Sequence, residues 1–338
     1  MAAGYNLSEG TFKNCNTSED ELWASLSCLF STKSIKDSSY KYGFLKAIID
    51  NLYNVDDTLS LSFNQVFSKF AEIYWNLILK YDVRQKAKTK DNRETYLEQI
   101  INNARIKYNI TEPIPYESLT PKMMLDINLQ VKNKCKKYVI GAVFEDTNHL
   151  FYSFSKKEEK IQLNPKMYQF ICKHKLMIEK INYYEWAKFL EKVNEPSSSQ
   201  LLLSKLDKSS KRSNLSKYRE ILYNVFENHN CFYCGKHISF ESSHVDHFIP
   251  WSFIKDDNLW NFVLACPSCN NKKRDRLAIP EYLNTIEQRN QKILCSPEHF
   301  IQNYKPRKIV EIYNWAAKNG YENSWQPRLL TKGFEIAQ

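Results

Sequence analysis

Two Cys-x-x-Cys knuckles, Cys231/Cys234 and Cys266/Cys269, restrict this chain more than any other feature, with residues 235–265 running between them. Four thiols spaced in this way meet only if the intervening segment folds back on itself. Such a set matches a closed tetrahedral zinc site, with no open coordination position and hence a structural role. The other five of the nine cysteines, Cys15, Cys28, Cys135, Cys172 and Cys295, are scattered. The start, "MAAGYNLSEG", lacks a basic segment followed by an apolar run, so a secretory leader is not expected. Without one, a disulfide framework is not expected either, and the predicted setting is the cytoplasm. His237, beside the first knuckle, reads as a loop side chain rather than a ligand.

The segment between the knuckles carries more than a zinc ribbon needs. "SHVDHFIPWSF" puts Asp246 and His247 at the end of a predicted strand. "NLWNFVLAC" puts Asn261 five residues before Cys266, and "CPSCNNKKRDR" puts Asn270 directly after Cys269. Taken singly, Asp246 reads first as a loop cap and His247 as a satisfied core histidine; it is their company with Asn261, Asn270 and the knuckles that favours chemistry. An aspartate and an amide oxygen are hard ligands suited to Mg²⁺ or Mn²⁺. A neutral histidine near pH 7 can take a proton from water. Lys272, Lys273, Arg274 and Arg276 follow the second knuckle and are expected to face nucleic-acid phosphates. His244 is expected to be structural, and Glu241 and Asp257 solvated.

With these residues in this order, the stretch 231–277 resembles the HNH (His-Me finger) endonucleases, which have a ββα-metal fold. "VDHFIPWSFIKDDNLWNFVL" is also similar to the HNH domain of RNA-guided CRISPR effector nucleases, which typically lack the cysteines. The third position holds Asn270 where the family's last letter names a histidine; asparagine there is a frequent variant. The resemblance implies His247 as general base, Asp246 and Asn270 as ligands of a single catalytic Mg²⁺ or Mn²⁺, and Asn261 as the residue that holds the loop and so fixes the base. It further implies cleavage leaving 5′-phosphate and 3′-hydroxyl ends.

The formal net charge of +10 favours a polyanionic partner, and with the resemblance points to double-stranded DNA. No apolar run is long enough to span a bilayer. Outside the motif region the chain reads mainly as helix. Ser18 and Glu21 fit a capping box ahead of Leu22, Trp23, Leu26, Leu29 and Phe30. "SYKYGFLKAIIDNLY" and "NQVFSKFAEIYWNLILKY" each carry one apolar stripe, and "YLEQIINNARI" is a more polar helix. "YVIGAVFE" and "HLFYSFS" are rich in β-branched and aromatic residues and are separated by "DTN". They predict a hairpin, with "KIQL" as a third strand. Helices return over 165–178 and "NYYEWAKFLEKV".

The expected fold class is therefore α+β. A mostly helical N-terminal recognition or interaction domain with a β-hairpin spans 1–194. A basic linker spans 195–215, a zinc-containing ββα-metal nuclease module 216–280, and a helical extension 281–338. Basic runs at Arg84–Arg93, Lys132–Lys137 and Lys205–Arg212 offer further contacts to a DNA backbone. The expected function is a metal-dependent DNA endonuclease. Proteins of this build often serve restriction or phage defence, acting as a homodimer or with a partner protein. Two alternatives stand: a non-catalytic zinc-knuckle DNA-binding protein, and an RNA-cleaving effector.

Overall fold

The computed structural model describes residues 4–13, 17–87, 94–210, 214–226, 229–294, 304–305 and 307–327. The chain divides into two compact units, Met1–Lys211 and Arg212–Gln338.

The first unit is helical with one small sheet. Its helices are α1 (Glu19–Phe30), α2 (Tyr40–Asp50), α3 (Phe63–Trp75), α4 (Tyr96–Lys107), α5 (Pro121–Asp146) and α6 (Pro165–Val193). Capping boxes start three of them: Ser18 with Glu21, Ser62 with Gln65 and Thr95 with Glu98. The strands β1 (Glu9–Gly10), β2 (Ser60–Ser62), β3 (Tyr152–Ser155) and β4 (Lys160–Leu163) form an antiparallel sheet in the order β1-β3-β4-β2. Phe63, Phe67 and Phe70 of α3 are fully buried. Each such side chain contributes about 1.5–3 kcal/mol of transfer free energy.

The hairpin differs from expectation. Residues 138–145 are not a strand but the last two turns of α5, and the hairpin is β3 with β4. The reason is visible along α5. Ile127, Val131, Cys135, Val139 and Val143 recur every four residues and are all buried, so the stripe of one long helix runs straight through "YVIGAVF". Burial on this stripe outweighs the small helix penalty of β-branched residues, which is less than about 1 kcal/mol each. Asp146, at the helix end, accepts from Ser34 and Lys41. The two later helices meet within α6 at a kink, where His174 leaves helical geometry (φ −115°, ψ 18°), earlier than the expected break after residue 178.

The stretch expected as a linker carries α7 (Pro196–Ser199) and α8 (Leu202–Asp207), and Leu202 and Leu206 are buried. Of the basic residues offered for DNA, Lys132 and Lys136 both ion-pair with Glu159. Lys88, Lys90, Arg93, Lys211 and Arg212 lie outside the described residues. No helix among the described residues is long and apolar enough to cross a membrane.

The second unit contains α9 (Ser216–Val225), β5 (His244–His247), α10 (Trp251–Ile254), β6 (Phe262–Ala265), α11 (Pro267–Lys273), α12 (Tyr282–Leu294) and α13 (Lys308–Lys318). β5 and β6 pair antiparallel, with His247 opposite Phe262 and His244 opposite Ala265. The extension expected over 281–338 contributes α12 and α13, which brace this ribbon. Arg289 donates to the Phe262 carbonyl and Asn290 to the Trp260 carbonyl (2.9 Å). Tyr282 donates to the Tyr233 carbonyl (2.6 Å), and Phe248 stacks on Tyr313.

One buried charge cluster sets the interior of the first unit. Lys46, with no exposed side-chain surface, pairs with Asp50 and with Glu179 (3.3 Å). Burial alone pulls its pKa down, but the two carboxylates override this and hold it above its ordinary value. Removing Asp50 leaves a buried ammonium with one partner fewer. Asp50→Ala is expected to lower unfolding stability by on the order of 3 kcal/mol, read as a shift of the urea midpoint for the first unit.

Candidate active site and cysteine cluster

The ribbon is too short to stand alone, since an isolated two-stranded pair is marginal in water. Its support begins at the cysteines. Cys231, Cys234, Cys266 and Cys269 come together with their sulfurs all within 4.8 Å of one another. The first knuckle closes through Gly235 N–H to the Cys231 carbonyl (2.9 Å) and Cys231 N–H to the Lys236 carbonyl (2.8 Å). Gly235 takes φ +68°, a left-handed turn that suits glycine. Phe232 N–H donates to the Leu264 carbonyl (2.9 Å), which fixes the knuckle against β6. The second knuckle starts α11: Cys266 is its N-cap, with Sγ accepting from Cys269 N–H at 3.4 Å, and Pro267 fills the first turn.

The donor set fits zinc. Zn–S bonds of about 2.3 Å in a tetrahedron imply sulfur separations of about 3.8 Å. Cys234 Sγ and Cys266 Sγ lie 3.9 Å apart. The Cys269 thiol and neighbouring backbone N–H groups bring Cys231 down to about 5 against the opposing effect of burial. Burial raises Cys234 to about 11, and the bond to Cys231 together with burial raises Cys269.

The face of β5 that meets α11 carries His244 and Asp246, two residues apart and so on one side of the strand. Opposite them, Asn270 and Lys273 lie three apart on one side of the helix. Asn270 Nδ2 donates to His244 Nδ1 (3.1 Å), which leaves Oδ1 as the free acceptor of the amide. Asp246 is 7% exposed; its Oδ2 accepts from Tyr233 Oη (2.5 Å) and from Lys273 Nζ (3.0 Å).

Lys273 corrects one expectation. It was grouped with the phosphate-facing cations but is fully buried, donating to the His247 carbonyl (2.7 Å) and pairing with Asp246. Helical periodicity is the reason, since Lys273 repeats the inward direction of Asn270. Lys272 and Arg274 are exposed and Arg276 is half-buried.

His247 points away from the Asp246 face, as the strand alternation requires. Its Nε2 lies 2.8 Å from Asp257 Oδ1, and its ring packs edge-on against Phe262 (4.7 Å between centroids). Asp257, expected to be solvated, is 11% exposed at its side chain. Neither periodicity nor a motif marked it; its position in "KDDN", on a loop that returns to β5, was the one available signal. Tyr233, inside the first knuckle, likewise carries no sequence signal of its bond to Asp246. Asn261 is fully buried and closes the loop after β5. Its Oδ1 accepts from Ile249 N–H and its Nδ2 donates to the Ile249 carbonyl, both at 2.8 Å. Its own carbonyl accepts from Phe248 N–H at 2.8 Å.

Strand, strand and helix carrying Asp-His, Asn and Asn in that order define a ββα module with a thiol-bound base. Residues 231–279 match the family model of the HNH endonucleases, so the second unit carries an HNH endonuclease domain. Comparison with curated proteins and with solved structures gave no significant match.

Two outcomes are expected. Cys231→Ser and Cys269→Ser should lose about one zinc per chain by atomic emission and abolish cooperative unfolding of the second unit, because structural zinc supplies folding free energy. Asn261→Ala leaves the buried Ile249 N–H and C=O unpaired. It should cost about 1–3 kcal/mol for each group by thermal melt, with zinc retained.

Proposed function

We infer that the protein is a metal-dependent DNA endonuclease whose HNH site hydrolyses phosphodiester bonds. The observation that carries this reading is the pairing of Asp246-His247 on β5 with Asn270 on α11 inside the stretch that matches the family. His247 serves as the general base. It takes a proton from the attacking water, the water oxygen bonds to phosphorus, and the bond to the 3′-oxygen breaks. The 3′-oxygen takes a proton from solvent, leaving 5′-phosphate and 3′-hydroxyl ends. Asp246 and Asn270 are the residues that would hold Mg²⁺ or Mn²⁺, a carboxylate and an amide oxygen being the hard donors such ions require. The ion would neutralise charge on the phosphate and the leaving oxygen. Asn261 fixes the loop beyond His247. Lys272, Arg274 and Arg276 would contact the backbone of double-stranded DNA.

A role in restriction or phage defence, in the cytoplasm, rests on family analogy. The first unit would then recognise DNA or a partner protein. A single centre per chain makes a homodimer the simplest route to double-strand cleavage.

One contact favours the non-catalytic DNA-binding reading instead: Asp246 Oδ2 is already held by Tyr233 and Lys273. Supercoiled plasmid incubated with the protein decides between them. Cleavage should require Mg²⁺ or Mn²⁺, stop in excess chelator and return on adding either ion. His247→Ala should reduce the rate at least about a hundredfold while leaving DNA binding intact. Absence of cleavage with either ion, or cleavage unaffected in His247→Ala, contradicts the assignment. A parallel digest of RNA distinguishes an RNA-cleaving effector.

A further inference from the structure

We propose that Asp257 is a positioning residue that fixes the tautomer and orientation of His247, so that Nδ1 is the nitrogen that accepts the water's proton. This rests on the reading of His247 as the general base. The loop that delivers Asp257 is built for the contact. α10 ends at Lys255, which takes φ +59° and returns its N–H to the Trp251 carbonyl at 2.7 Å. The left-handed turn sends the chain back toward β5, where Asp257 Oδ1 meets His247 Nε2 at 2.8 Å with both side chains nearly buried. Tyr218 of α9 holds the loop by donating to the Asp257 carbonyl (3.4 Å) and packing on Phe262 (4.7 Å between centroids). Phe262 in turn lies edge-on to the His247 ring. The backbone of His247 is tied separately, its carbonyl accepting from Lys273.

A carboxylate oxygen at hydrogen-bond distance from a ring nitrogen requires that nitrogen to carry the hydrogen. In its neutral form His247 is therefore the Nε2–H tautomer, with the lone pair on Nδ1. Among the described residues Nδ1 makes no hydrogen bond. When Nδ1 takes a proton from water the ring becomes an imidazolium, with both nitrogens protonated. Asp257 stabilises that charge without receiving the proton, as a carboxylate does behind a catalytic histidine elsewhere. The contact thus does what a loop lock would not: it selects the basic nitrogen.

The test uses the full-length, zinc-loaded protein and a supercoiled plasmid at saturating Mn²⁺. Asp257→Ala should lower kcat about 10- to 100-fold with KM, zinc content and melting temperature unchanged. A wild-type kcat in Asp257→Ala beside an inactive His247→Ala overturns the positioning role and leaves the nuclease reading standing. A loss confined to KM overturns it as well. Full activity in His247→Ala would instead remove the reading beneath it. A second measurement needs no Asp257 variant to fold. In wild-type protein labelled with ¹⁵N-histidine, at mildly alkaline pH, the His247 signals are identified by their loss in His247→Gln. The Nε2–H tautomer is expected, and an Nδ1–H tautomer overturns the proposal.

Discussion

The node of four sulfurs is the interaction on which the second unit depends. β5 and β6 are four residues each, and a ribbon of that size does not hold its register alone. The node ties the first knuckle to the end of β6 and the start of α11 in one place. α11 is therefore held along β5, and Asn270 is set opposite His244. Helix α12 then closes over the ribbon: Arg289 donates to the Phe262 carbonyl of β6, and Asn290 and Tyr282 donate to the Trp260 and Tyr233 carbonyls beside it. The chemistry-bearing side chains are thus positioned by a soft-donor cluster that takes no part in the reaction proposed for them.

Strand alternation gives the site two faces with different electrostatics. On one face the carboxylate of Asp246 is neutralised by Lys273, a lysine buried within the domain. Burying an unpaired carboxylate would be costly, and a neighbouring ammonium and phenol make it tolerable. Both contacts fall on Oδ2, and His244 turns the oxygen of Asn270 free. On the other face His247 is enclosed by Asp257 and Phe262.

Much of this was legible before any coordinates. The cysteine knuckles and the strand ending in Asp246-His247 follow from spacing and from residue chemistry. The capping box at Ser18 follows from residue chemistry and the stripe of α3 from periodicity; α2 is instead buried on every side, Lys46 and Asp50 included, which one apolar stripe does not foretell. What failed did so for identifiable reasons. "YVIGAVF" satisfies a strand by composition and a helix by the position of its residues on a longer stripe. A short window sees only the first, and the burial of Val139 and Val143 on α5 decides for the second. Lys273 was read from its charge, whereas its place on the helix three residues after Asn270 determines its direction. Asp257 and Tyr233 reach the site through loop paths that no periodicity encodes, so only tertiary structure could reveal them.

The central claim is that one domain holds two kinds of metal by two kinds of donor: soft sulfur for its architecture and hard oxygen for its chemistry. Anomalous diffraction from crystals of the zinc-loaded protein soaked in Mn²⁺, collected at both absorption edges, tests it directly. The account predicts a zinc signal at the centre of Cys231, Cys234, Cys266 and Cys269, and a manganese signal beside Asp246 and Asn270. Manganese absent from Asp246, with Lys273 still seated on it, or zinc absent from the sulfurs, would contradict the account.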